Sequence, residues 1–131
     1  MPKFRYDKLV RDKIAQLSRD SGHIVIEKKL RGLKLKAALQ QKILEEAAEL
    51  PLQAHKDMAV IEEIADLQQV IDDICRLYGI DEAELTAAKN QKIVKRGGFL
   101  DGSFVETVEI SDVSDSLVQK LRQDPQKYLE I

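Results

Sequence analysis

The sequence predicts a mainly α-helical fold, an antiparallel helix bundle with one or two short strands at its periphery. Three observations predict it. Apolar residues recur at spacings of three and four through most of residues 34–96, capping residues and glycines mark where those runs start and stop, and tracts with strand-like alternation are short and few. At 131 residues the chain is the length of one ordinary domain, and 1–131 is expected to be a single unit.

Tyr6 to Ser18 reads as a short amphipathic helix, with Leu9, Ile14 and Leu17 on one side and Lys8, Arg11 and Lys13 among its charges. The β-branched run His23 to Leu30 predicts an edge strand, which Ser103 to Ile110 could pair. A long helix is expected from about Lys34 to Ala54 with the stripe Leu39, Ile43, Ala47, Leu50, Ala54. Pro51 predicts a kink or an early stop just after its acidic cluster, because proline removes a helical hydrogen bond and crowds the carbonyl four residues back. The next helix starts at the N-cap Asp57 and runs to Tyr78, where Gly79 ends it; its stripe is Val60, Ile64, Leu67, Ile71, Ile74, Tyr78. A capping box, Asp81 to Glu84, opens another helix that continues to Arg96 before Gly97-Gly98. The tail from Ser114 predicts a short helix interrupted at Pro125.

Composition excludes several functions. With 21 basic and 23 acidic residues the formal net charge is -2, so no global field recruits nucleic acid or an anionic membrane. Three Phe, three Tyr and no Trp supply a stacking platform poorly. No apolar run has the length of a bilayer span, the N-terminus lacks a signal-peptide pattern, and the lone Cys75 has no partner for a disulfide; a cytoplasmic location is expected. Neither glycine-rich phosphate cradle is present, and His23 and His55 show no ligand spacing.

What stands out is an acidic echo, ILEEAAEL at Ile43–Leu50 and IEEIADL at Ile61–Leu67. Taking each stripe's centre as zero, Glu46 lies roughly 60° and Glu49 roughly 120° to one side, and Glu63 and Asp66 fall at about the same angles on the following helix. If the helices pack antiparallel through their stripes, one shared edge could carry all four carboxylates, depending on a hand and register that the sequence does not fix. Such a group repels itself unless a divalent cation neutralises it, and oxygen-only ligands favour Mg²⁺, with Mn²⁺ second, over zinc. The bland alternative is a solvated face paired with nearby lysines. Glu45 and Glu62 precede the two pairs and are open as general bases, supporting acids or surface charge. Lys89, Lys92 and Arg96 form one basic stripe suited to phosphate, with Lys8 and Arg11 as a second cluster; helix C-capping is the ordinary account of Arg96.

The E-x-x-E of Glu46–Glu49 followed by the E-x-x-D of Glu63–Asp66 resembles the metal motif of the MazG-like, all-α nucleoside triphosphate pyrophosphohydrolases. YDKLVRDKI, Tyr6 to Ile14, and K-x-x-K-x-x-K-R-G-G-F, Lys89 to Phe99, are similar to its house-cleaning or phosphoribosyl-ATP pyrophosphohydrolase-like subgroup. Ala15, where that subgroup often has proline, and Pro51, in a helix that usually continues, depart from it. The resemblance implies a helical fold assembling as dimers or tetramers. It also implies Mg²⁺ on Glu46, Glu49, Glu63 and Asp66, and hydrolysis of a nucleotide between its α and β phosphates. The expected activity is thus release of a monophosphate and pyrophosphate from a nucleoside triphosphate, including one with a non-standard base. Phosphoribosyl-ATP as substrate and a non-catalytic helical interaction module are the alternatives.

Overall fold

The computed structural model describes residues 1–131 and contains five helices and no strand. These are α1 (Ile14–Asp20), α2 (Gly32–Glu49), α3 (Met58–Tyr78), α4 (Glu82–Arg96) and α5 (Ser116–Arg122). The chain divides into two compact units, Met1–Gln91 and Lys92–Ile131. No helix is long and apolar enough to cross a membrane.

The first unit is organised by α2 and α3, which pack on each other. Their direction follows from which ends meet. Glu46, late in α2, lies beside Glu63, early in α3, while Lys36 near the start of α2 sets its ammonium 4.0 Å from the ring centroid of Tyr78 at the end of α3. The pair is therefore an antiparallel αα-hairpin. Its turn is built by proline. Leu50 adopts φ −64°, ψ 119°, the extended conformation imposed on a residue preceding proline, and α2 stops at Glu49 instead of running on to Ala54.

At the start of α3, Asp57 accepts a hydrogen bond from the Val60 N–H at 3.0 Å. At the other end Gly79 takes φ 68°, and the Gly79 and Ile80 N–H groups donate to Arg76 and Cys75 carbonyls at 3.2 and 2.9 Å, a Schellman stop that a left-handed glycine makes inexpensive. The capping box of α4 forms as its sequence requires, with the Glu84 N–H donating to Asp81 Oδ1 at 2.8 Å and the Asp81 N–H to Glu84 Oε2 at 3.2 Å.

The packed faces take in most of each predicted stripe together with its acidic flank. On α2 Leu35, Leu39, Lys42, Ile43 and Glu46 are covered; on α3 Val60, Glu63, Asp66, Leu67, Val70, Ile71 and Ile74 are. Ala47 is exposed and Ile64 is 51% exposed, so each helix has turned its acidic flank toward its partner and left part of its apolar stripe outward. Only two helices meet here, and a single line of contact cannot cover a wide stripe on both. The core is correspondingly slight, with Leu39 and Val70 buried in the hairpin and Ala15 in α1.

Two expectations need correction. Tyr6–Lys13 is not helical: α1 begins only at Ile14, and Asp7 sits at φ 44°, a left-handed turn outside any helix. His23–Leu30 and Ser103–Ile110 form no strands, because neither finds a ladder partner for its backbone groups. In the second unit, Asp115 caps α5 by accepting from the Leu117 N–H at 2.9 Å, Val118 is buried, and the helix ends before Pro125.

The N-cap carries a pH signature. Hydrogen bonds from the Gln53 side chain and from the Val60 and Ala59 N–H groups hold the Asp57 carboxyl below its ordinary value, against a small opposing effect of burial. A lowered folded-state pKa means that this contribution is full above the ordinary aspartate range and is lost as pH falls through the folded value. Asp57→Ala should therefore lower the urea midpoint at pH 7, with the difference from wild type shrinking on acidification.

Candidate metal centre

The closing turns of α2 and the opening turns of α3 lie side by side at the proline turn, and this brings carboxylates of both helices together. One oxygen from each of Glu46, Glu63 and Asp66 lies within 4.8 Å of the other two. Glu63 and Asp66 are three residues apart and so share a face of α3. Glu46 is 6% exposed and is the buried charged residue of the chain; Glu63 and Asp66 are half-buried.

Three cations reach this cluster. Lys42, one turn before Glu46, places Nζ 3.2 Å from both Glu46 Oε1 and Glu45 Oε1. Burial opposes its charge, but the hydrogen bonds and attraction of Glu45 and Glu46 outweigh that and hold its pKa above the ordinary lysine value. Lys8 approaches Glu45 Oε1 at 3.4 Å, and Arg11 Nη2 lies 2.5 Å from Asp66 Oδ1. Burial pushes the Glu45 carboxyl up, yet Lys42 first and Lys8 second pull it below its ordinary range.

Glu63 behaves in the opposite way. Burial raises its pKa, as do the charges of Glu49, Glu46 and Asp66 and a hydrogen bond to Glu46. That bond exists only while one of the two carboxyls carries a proton. With both ionised, Glu46 Oε2 and Glu63 Oε2 are enclosed without any hydrogen-bond partner. Two buried oxygens with no donor are costly, and they are what a hard cation would satisfy. The donor set, carboxylate oxygens alone, fits Mg²⁺ or Mn²⁺.

The other sequence-derived residues divide. Glu49 is exposed and stands outside the trio, although close enough to act on Glu63. Glu62 is exposed. Lys89, Lys92 and Arg96 are exposed on one stripe of α4 and form no ion pair. Lys8 and Arg11, read as phosphate ligands, are instead engaged with Glu45 and Asp66. Lys42 was missed by reasoning from acidic spacing, although K-x-x-E-E places it three and four residues before Glu45 and Glu46, within reach of both. No protein-family model, curated protein or solved structure matches this chain.

Glu63→Gln removes one charge from the cluster and supplies an amide donor. Because the folded-state pKa of Glu63 is raised, wild type keeps its full stability below the ordinary glutamate range and loses some as pH rises through the folded value. In metal-free buffer the variant should thus melt above wild type at pH 7 and level with it in acid. A variant that melts lower at pH 7 would show that the repulsion is already compensated.

Proposed function

We propose that the chain is a Mg²⁺-dependent nucleotide pyrophosphohydrolase, splitting a nucleoside triphosphate between its α and β phosphates to leave a monophosphate and pyrophosphate. The observation carrying this reading is the pair of enclosed, unpartnered oxygens on Glu46 and Glu63, with Asp66 beside them. It is joined by the resemblance of the two E-x-x-acid pairs and of the flanking basic segments to the MazG-like enzymes.

Glu46, Glu63 and Asp66 would hold the cation, with Glu49 completing the set as the family pattern implies. When bound, Mg²⁺ would polarise a phosphate oxygen and lower the pKa of a coordinated water. The protein's own groups do the rest. Lys42 fixes one oxygen of Glu46 and leaves the other without a partner. Glu45 and Glu62 are the candidates to accept a proton from the attacking water; Glu62 is free to do so, whereas Glu45 must first be released by Lys42 and Lys8. Lys89, Lys92 and Arg96 present exposed positive charge suited to the departing pyrophosphate.

Assembly into a homodimer or homotetramer belongs to the same reading, as does completion of a helix bundle by a second copy. Within the first unit Leu44, Ile61 and Ile64 lie outward on the hairpin, apolar surface that a second copy would cover. A cytoplasmic site of action suits an intracellular nucleotide and the unpaired Cys75.

A second reading has an observation of its own. Lys42, Lys8 and Arg11 already pair with Glu45, Glu46 and Asp66, as they would in a non-catalytic helical module whose acids form a charged rim. A panel of nucleoside triphosphates, including non-standard bases and phosphoribosyl-ATP, assayed for pyrophosphate with and without Mg²⁺ separates the two and selects the substrate. Turnover should require Mg²⁺, and Glu46→Gln or Asp66→Asn should reduce it by roughly 100-fold or more with the helical circular-dichroism signal intact. No Mg²⁺-dependent pyrophosphate release from any member of the panel would favour the module.

A further inference from the structure

The segment before α1 lies on the acidic cluster without being part of either helix that builds it. Lys8 reaches Glu45 of α2 and Arg11 reaches Asp66 of α3, so four residues of chain bridge the two helices across the carboxylates. The left-handed turn at Asp7 immediately precedes this span. Of the cations at the cluster, Lys42 is set on α2 itself, three and four residues from its partners and largely enclosed, and it occupies Glu46 Oε1 while Oε2 stays free. Arg11 differs on each count. It belongs to non-helical chain, its side chain is 57% exposed, and the oxygen it occupies belongs to one of the three clustered carboxylates.

Resting on the metal-site reading above, we propose that Arg11 is an exchangeable counter-ion of the site: a divalent cation displaces it from Asp66, and the freed guanidinium then binds a phosphate oxygen of the ligand that shares the cation. The exchange is feasible because an ion pair this exposed is weak, whereas three convergent carboxylates attract a doubly charged ion more strongly than a single guanidinium satisfies them. The same guanidinium that neutralises Asp66 has the planar fork suited to a phosphate, so release converts a competitor of the metal into a ligand for the substrate. Lys42 remains in place as the fixed support of Glu46.

The test is calorimetry on the full chain at matched ionic strength, with Mg²⁺ alone and then with inorganic pyrophosphate at saturating Mg²⁺, for wild type, Arg11→Gln and Arg11→Lys. Removing the competitor should tighten Mg²⁺ binding by about two- to fivefold in Arg11→Gln, the range set by exposed ion pairs. It should weaken pyrophosphate binding by roughly tenfold, the worth of one charge-assisted hydrogen bond. Arg11→Lys should stay near wild type in Mg²⁺ affinity. A merely structural Arg11 would move both affinities downward or neither. Unchanged or weaker Mg²⁺ binding in Arg11→Gln overturns the exchange, and unchanged pyrophosphate binding overturns the transfer to phosphate. A wild type that binds no Mg²⁺ at all overturns the metal reading itself, and this inference with it.

Discussion

Two carboxylate oxygens enclosed between neighbouring helices with nothing to donate to them are the constraint on which the first unit turns. Glu46 Oε2 and Glu63 Oε2 occupy positions where an apolar pair would pack without penalty. The surrounding charges act as compensation for that choice: Lys42 takes the other oxygen of Glu46, Arg11 takes Asp66, and Lys8 with Lys42 lowers the basicity of Glu45. Compensation stops short of these two oxygens, and burial and neighbouring charge raise the pKa of Glu63 accordingly. A fold selected only for stability would have little use for this arrangement, since well-packed apolar residues usually serve as well as buried ions.

The backbone prepares the site through its turn. Pro51 forces Leu50 out of the helical region, Asp57 restarts the chain as α3, and the hairpin closes with the end of one helix against the start of the next. Because acids occur just before the turn and just after it, antiparallel packing brings them together. The short connection thus does for the carboxylates what a long-range contact would do in a more complex topology, and it does so through residues close in sequence. Outside the hairpin, α4 is specified locally by its capping box and α5 by Asp115.

What could be read from the sequence follows the range of the interaction involved. Asp57, Gly79 and the Asp81–Glu84 box act over three or four residues, and the ends of α3 and the start of α4 stand where those residues predict. Pro51 was legible as a stop for the same reason. The first helix was misplaced because Leu9 and the charges of Lys8 and Arg11 carry helical spacing, while Lys8 and Arg11 pair with Glu45 and Asp66, 37 and 55 residues away, and not along a helix of their own. The strands failed because pairing is a property of two segments, and alternation in one says nothing of whether the other arrives.

The site was legible in composition and not in rotation. Equivalent angles placed Glu46 and Glu63 in corresponding positions, and they do meet, while Glu49, further round from the stripe, stays exposed outside the trio and Ile64 lies outward. Hydrophobic spacing sets the stripe but not how far the contact widens onto its flank, so the burial of Glu46 beside Lys42 could not emerge from it. The most direct test of the account is anomalous scattering from crystals soaked in Mn²⁺. It predicts a peak among Glu46, Glu63 and Asp66, within coordination distance of their oxygens. A map with no peak there, and with Arg11 still on Asp66 at saturating metal, would contradict it.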